Sequence, residues 1–175
     1  MARQLHPHVL VISYPAQGHV EPLMKLSPQI AAQGVKVTFV NTEFIHEKTT
    51  DSVPEKDKEQ SLISLVSIPD GLDGDDRNDV FKLAESIRRV MPGHLENLIV
   101  KLNQSNLNEQ IKCVIAEASV GWALEVAKKM GIGAVAVWPG GAACLALTLH
   151  IPQLIDAQII SNDVKNMGIY IYTKQ

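Results

Sequence analysis

Five short runs rich in β-branched and other apolar residues recur along the chain, most of them followed by a segment whose apolar residues repeat at helical spacing. The runs are His8 to Ser13, Lys36 to Asn41, Leu62 to Ile68, Lys112 to Ala116 and Ala134 to Trp138. From Val20, residues Leu23, Met24, Ile30 and Ala31 share one helical face; from Asp79 to Asn103 a stripe is formed by Val80, Leu83, Ile87, Met91, Leu95, Leu98 and Leu102. Val120 to Met130 and Ala142 to Ala157 complete the helical set, while Glu43 to Glu59 is charged and reads as a short helix followed by a loop. Parallel strands are joined only by crossovers, and crossovers are overwhelmingly right-handed. The alternation therefore predicts an α/β fold with a doubly wound parallel sheet covered by helices on both faces.

Breakers sit at the joints of this pattern. Pro15 ends the first run, Gly34 stands where a helix would close in a left-handed residue, and Pro69 and Gly71 end the third run. Pro92-Gly93 and Pro28 fall inside helical segments, where a proline removes a hydrogen bond at a cost of about 3 kcal/mol, so both helices are expected to bend. Gly131-Ile-Gly133-Ala-Val-Ala136 has the spelling of a dinucleotide-binding loop, but it ends a helix and enters a strand. That is the reverse of what such a loop requires, and a helix-closing turn is expected instead.

Composition excludes several classes. The 175 residues carry a net charge of -3, which offers no attraction to nucleic acid or anionic membranes, and no apolar run is long enough to span a bilayer. Met1 to Pro7 is polar and Val9 to Ile12 too brief for a signal peptide, so the expected location is cytoplasmic. Cys113 and Cys144 lack paired spacing, and the six histidines show no zinc-ligand spacing, so neither a disulfide nor a metal is expected. The acidic stretch Asp70 to Asp79 lacks the closing glutamate of a calcium loop and reads as a solvated rim.

In a doubly wound sheet, ligands lie beyond the carboxyl ends of the strands, near the point where strand order reverses. Gln17, Gly18 and His19 follow the first run, Asn41 and Glu43 the second, Glu117 the fourth, and Pro139, Gly140 and Gly141 the fifth. With strand order 3-2-1-4-5, the first and fourth strands are neighbours, which brings His19 beside Glu117. A histidine in a first helical turn feels the positive end of the helix dipole, which favours the neutral ring that accepts a proton. A carboxylate on its other nitrogen would set the tautomer. On pattern alone the plainer alternative, a helix-start polar residue and a solvated loop acid, stands ahead. Trp122 and Trp138 have two readings as well, pocket wall or core, with core ahead.

Two stretches, His8-Val-Leu-Val-Ile-Ser-Tyr-Pro-Ala-Gln-Gly-His19-Val-Glu-Pro-Leu23 and Gly34-Val-Lys-Val-Thr-Phe-Val-Asn-Thr42, closely resemble the opening of plant family-1 UDP-dependent glycosyltransferases. The resemblance continues through Ser67-Ile-Pro-Asp-Gly-Leu72, Cys113-Val-Ile-Ala116, Trp122-Ala-Leu-Glu-Val-Ala127 and Leu154-Ile-Asp156, and is lost over Val164 to Gln175. It implies the N-terminal, Rossmann-like half of a GT-B architecture: one acceptor-binding domain over residues 1–175, irregular from about residue 157, without the donor-binding domain.

The resemblance further implies that His19 deprotonates the acceptor hydroxyl and that Glu117 takes the place of the family's usual aspartate; Gln17, Gly18, Trp138 and Pro139, by their position at the ends of the first and fifth runs, are the expected acceptor-site residues. The resemblance implies no cofactor. The co-substrate is a UDP-sugar, with UDP-glucose the expected donor, held mainly by the absent half; the partner is a small hydroxylated acceptor; and the complete protein is expected to be a monomer. The chain alone is expected to be inactive. A truncated, non-catalytic binding module is the alternative, and a free-standing nucleotide-binding domain a third reading that the Gln17-Gly18-His19 turn fits poorly.

Overall fold

The computed structural model describes residues 6–50 and 62–160, so the expectation for Val164 to Gln175 lies outside the described residues. The elements run β1 His8–Ile12, α1 Gln17–Ala31, β2 Lys36–Thr42, α2 Glu43–Thr50, β3 Ile63–Ile68, α3 Val80–Ser105, β4 Ile111–Glu117, α4 Trp122–Lys129, β5 Gly133–Val137 and α5 Ala142–Asp156. Short 3-10 turns at Gly74–Asn78 and Ala118–Val120 precede α3 and α4. All strand pairs are parallel, as the alternation predicts, and the order is β3-β2-β1-β4-β5, the usual doubly wound order.

Tertiary contacts group into two units, residues 1–137 and 138–175. In the first, each face of the sheet carries its own apolar layer. Val20 and Leu23 of α1 pack with Val11, Val37 and Phe39; Leu83, Ile87, Met91, Leu95 and Ile99 of α3 pack with Leu10, Ile12, Val40, Val114 and α4. Full burial of one such side chain contributes about 1.5–3 kcal/mol, so these layers outweigh any single local penalty. The second unit holds Trp138, Pro139 and α5, whose side chains are nowhere buried. At the outer edge of the sheet, residues 133–136 of β5 are exposed.

Local chemistry explains the joints. Asp79 precedes α3 rather than opening it, and its carboxylate accepts from Phe81 N–H at 2.9 Å and Lys82 N–H at 3.2 Å, a cap that contributes about 1 kcal/mol. Val80, placed on the apolar stripe by its spacing, is exposed, and Ile99 is buried instead. Helix α4 closes in a Schellman turn: Gly131 has φ +71°, its N–H reaches Lys128 C=O, and Ile132 N–H reaches Ala127 C=O at 2.9 Å. The glycine-rich string is thus the helix stop that its context predicts. Helices α1 and α3 run uninterrupted through Pro22, Pro28 and Pro92. Each proline leaves one carbonyl four residues back without its usual donor, and the buried faces on either side hold the helix together.

One polar cluster is buried at the amino edge of the sheet. The ring of His8 is only 3% exposed; Nδ1 lies 2.9 Å from the Glu109 carbonyl and Nε2 2.8 Å from Thr38 Oγ1. A carbonyl only accepts, so Nδ1 carries the proton and Nε2 accepts from the threonine hydroxyl. His8 is therefore an internal strut, in contrast to the surface or pocket role that its terminal position suggests. Burial lowers its pKa, against the opposing pull of the Glu109 carbonyl.

Because the folded ring binds a proton less readily than the unfolded one, its contribution to stability is full above about pH 6.5 and is lost as the pH falls below that value. Chemical denaturation at pH 7.5 and 5.5 checks this. The wild-type protein loses more stability between the two than His8→Gln does, and equal losses would exclude a neutral buried ring.

Candidate active site at the carboxyl edge of the sheet

Parallel pairing fixes where the first and fourth connections meet. Ile12 of β1 is in register with Ala116 of β4, so the segment leaving β1 runs beside the end of β4. Helix α1 begins two residues before His19, and Glu117 is the last residue of β4 rather than part of the loop after it. His19 Nδ1 and Glu117 Oε2 are 3.3 Å apart. The carboxylate is buried, 2% exposed, whereas the imidazole is 40% exposed. Nδ1 itself is shielded, so the exposed area belongs to the rest of the ring.

The contact lies just outside strict hydrogen-bond geometry and becomes an ion pair when the ring is protonated. It still governs the proton affinity of both groups. The Glu117 contact raises the His19 pKa and outweighs the lowering from burial. The direction is opposite to the lowering expected from the helix dipole, and its cause is the neighbouring carboxylate. Burial pushes the Glu117 carboxyl up, but His19 and the Ser119 main chain and hydroxyl together bring it below its usual range.

Two neighbours completing this arrangement were not singled out in the sequence. Tyr14 places its ring centroid 5.2 Å from that of His19, and its phenol pKa is raised by burial and then by the Glu117 charge. Ser119 Oγ donates to Glu117 Oε1 at 3.0 Å. The only sequence signal for Ser119 is its spacing, two residues beyond an acid at a strand end. Nothing in the spacing of Tyr14, five residues before His19 across a turn, announces a ring contact.

Gln17 and Gly18 are exposed in the first turn of α1, and a Cβ on Gly18 would meet no protein atom within 4 Å. Neither packing nor backbone conformation requires glycine there. Trp138 and Pro139 belong to the second unit, where Trp138 Nε1 donates to the Gly141 carbonyl at 3.3 Å and a Cβ on Gly140 would come within 2.9 Å of that nitrogen. Trp122 is core, 4% exposed.

Buried polar atoms without a hydrogen-bond partner concentrate at the carboxyl ends of the central strands. Ser13 Oγ follows β1, Asn41 Nδ2 lies near the end of β2, and Trp122 Nε1 opens α4. Such atoms cost about 1–3 kcal/mol each when left unpaired in a stable core, and their concentration at one edge marks it as built for something other than stability.

Asp73, Asp76 and Asp79 are exposed, as a solvated rim requires, but Asp70 is not. Asp70 is buried and held by Arg77, with Nε to Oδ2 at 2.8 Å and Nη2 to Oδ1 at 2.9 Å; Arg77 also donates to the Leu72 carbonyl and stacks 4.9 Å over Phe44. Gly71 has φ +78°, and a Cβ there would lie 2.6 Å from Val90 Cγ2, so this loop is packed against α3. Among the described residues no cluster of three or more metal-ligating side chains forms, and no helix is long and apolar enough to cross a membrane.

The sequence and the fold match one group of known proteins. UDP-glycosyltransferase 83A1 of Arabidopsis thaliana is 45% identical over 167 residues, which make up 92% of this chain and 36% of that protein. The 7-deoxyloganetin glucosyltransferase of Catharanthus roseus is 34% identical over 157 residues, 86% of this chain and 32% of that protein. Among solved structures, a UDP-glucose:anthocyanidin 3-O-glucosyltransferase in complex with UDP superposes with a TM-score of 0.70 at 22% identity, over 92% of this chain and 35% of that one. Os79 from O. sativa with UDP gives 0.69 at 19% identity, over 89% and 33%. No family model matches. The chain belongs to the plant family-1 UDP-glycosyltransferases and has the α/β sheet of their GT-B fold. It spans about a third of the length of the relatives it matches.

If the Glu117 carboxylate sets the His19 pKa, Glu117→Gln brings it to or below about 6.5, because burial of the ring remains. An NMR titration of the imidazole carbons reads this directly. An unshifted value would exclude the contact.

Proposed function

We propose that this chain is the acceptor-binding half of a UDP-dependent glycosyltransferase and supplies its catalytic base. The observation that carries the reading is a buried carboxylate beside one nitrogen of a half-exposed imidazole, at the sheet edge where doubly wound folds bind ligands. With its proton on Nδ1, facing Glu117, the neutral ring presents a lone pair on Nε2. An acceptor hydroxyl placed there gives its proton to Nε2 as its oxygen bonds to the anomeric carbon of the sugar. The bond from that carbon to the UDP oxygen breaks, and UDP leaves with the electron pair. Attack from the face opposite the leaving group inverts the anomeric centre. Glu117 stabilises the imidazolium formed on the way, the role of the acid in a triad.

The relatives support the substrate classes. Two are named for glucosyl transfer to small molecules, 7-deoxyloganetin and (R)-mandelonitrile, and UDP or a UDP-sugar is bound in several of the solved structures. We assign the donor to the two-thirds of the relatives' length that this chain does not span, and the acceptor to the edge around His19. Gly18 fits that assignment, since its α-carbon faces open space beside the base. Holding both substrates in line is a large part of the rate advantage of such a reaction, so the chain by itself turns over little.

A chimera that continues this chain with the remaining length of the 45%-identical relative tests the reading. Glucosyl transfer from UDP-glucose falls about 10²–10⁴-fold in His19→Ala. In the parent chimera kcat/KM declines as the pH drops through the raised His19 pKa, because the imidazolium accepts no proton. Transfer unchanged by His19→Ala would overturn the mechanism. A chimera that binds acceptor without any transfer would favour a non-catalytic binding module instead.

A further inference from the structure

The carboxylate of Glu117 has two chemically equivalent oxygens on a side chain with three torsions, and only one arrangement of them serves His19. The oxygens are in fact used differently. Oε1 accepts from the Ser119 hydroxyl at 3.0 Å, while Oε2 faces His19 Nδ1 at 3.3 Å and has no other partner among the described residues. Ser119 lies in the 3-10 turn Ala118–Val120 that directly follows β4, so its hydroxyl is tied to the same strand end as the acid it holds. A serine hydroxyl bonded to a carboxylate oxygen acts as the donor and thereby favours the ionised acid.

We propose that Ser119 is a positioning residue for the His19–Glu117 pair: its hydroxyl anchors Oε1 and so presents Oε2 to the ring. The inference rests on the reading of His19 as the base and deepens it. The His19–Glu117 contact, at 3.3 Å, lies outside strict hydrogen-bond geometry, so how Oε2 meets the ring depends on what else holds the carboxylate. Ser119 is the group in place. It is itself exposed, so shortening it to alanine removes a hydrogen bond and no core packing. The main-chain N–H of Ser119 acts on the carboxyl in the same sense as its hydroxyl, which reinforces the anchor.

The test is an NMR titration of His19 in the wild-type protein, Ser119→Ala, Ser119→Thr and Glu117→Gln, with near-ultraviolet circular dichroism to confirm the fold. With the anchor removed, the carboxylate samples other rotamers, and the His19 pKa in Ser119→Ala falls by about half a unit, part of the way to the Glu117→Gln value. Ser119→Thr keeps a hydroxyl and restores it. In the chimera described above, the acid limb of kcat/KM moves down by the same amount in Ser119→Ala. A His19 pKa unchanged in Ser119→Ala but shifted in Glu117→Gln would overturn the anchoring role and leave the base assignment intact. A pKa unchanged in both would overturn the two together. Should Ser119→Ala lose its fold, the comparison of Ser119→Thr with Ser119→Val, which has the same shape without the donor, decides in the same way.

Discussion

The parallel pairing of β1 with β4 is the constraint on which the rest of the molecule depends. It places β1 in the middle of the sheet, where both its faces are covered, and it sets the point at which the chain changes direction across the sheet. Ile12 lies opposite Ala116, so the residues leaving each strand emerge side by side, and a helix that starts after β1 must begin next to the last residue of β4. His19 and Glu117, almost a hundred positions apart in the chain, are neighbours for that reason alone. The two apolar layers make the pairing stable, one under α1 and one under α3 and α4.

The two ends of β1 treat histidine in opposite ways. At the amino end, His8 is enclosed and bonded on both ring nitrogens to neutral groups, so burial dominates and its pKa falls. At the carboxyl end, His19 is partly open to solvent and lies against a buried anion, so the anion dominates and its pKa rises. Taking an uncompensated carboxylate out of water costs several kcal/mol, which a stable core would avoid. Glu117 is tolerated because His19 and Ser119 share its charge. Ser13, Asn41 and Trp122 add unpartnered polar atoms along the same edge. Stability is concentrated in the layers over the strands, and chemical capacity at one rim of them.

What could be read from the residues beforehand divides along physical lines. Periodicity located the strands, α1 and α3 to within a few residues, because burial on one or both faces leaves its mark on every second or every third-to-fourth residue. The helix stop at Gly131 was readable for a similar reason, since only the chain context decides whether a glycine pair opens or closes a helix. The burial of Asp70 was not readable. Five acidic residues in ten suggest solvent, and only the fold brings Arg77 and the Leu72 N–H to one of them. Helices α1 and α3 continue through their prolines, because a lost hydrogen bond is small against the apolar face those helices bury. Tyr14 and Ser119 escaped notice because ring contacts and anchoring hydroxyls have no period.

By itself the sequence determined the class of fold, the family, and the two residues that the usual strand order would bring together. These are local or statistical properties, written in spacing and in motif order. Only the tertiary structure decided that Glu117 is buried while His19 is half open, that the acid raises the proton affinity of the ring against the effect of burial, and that Ser119 donates to the other carboxylate oxygen. The reason is that proton affinity and burial depend on distance in space. Distances between residues far apart in the chain exist only once the sheet has closed its register.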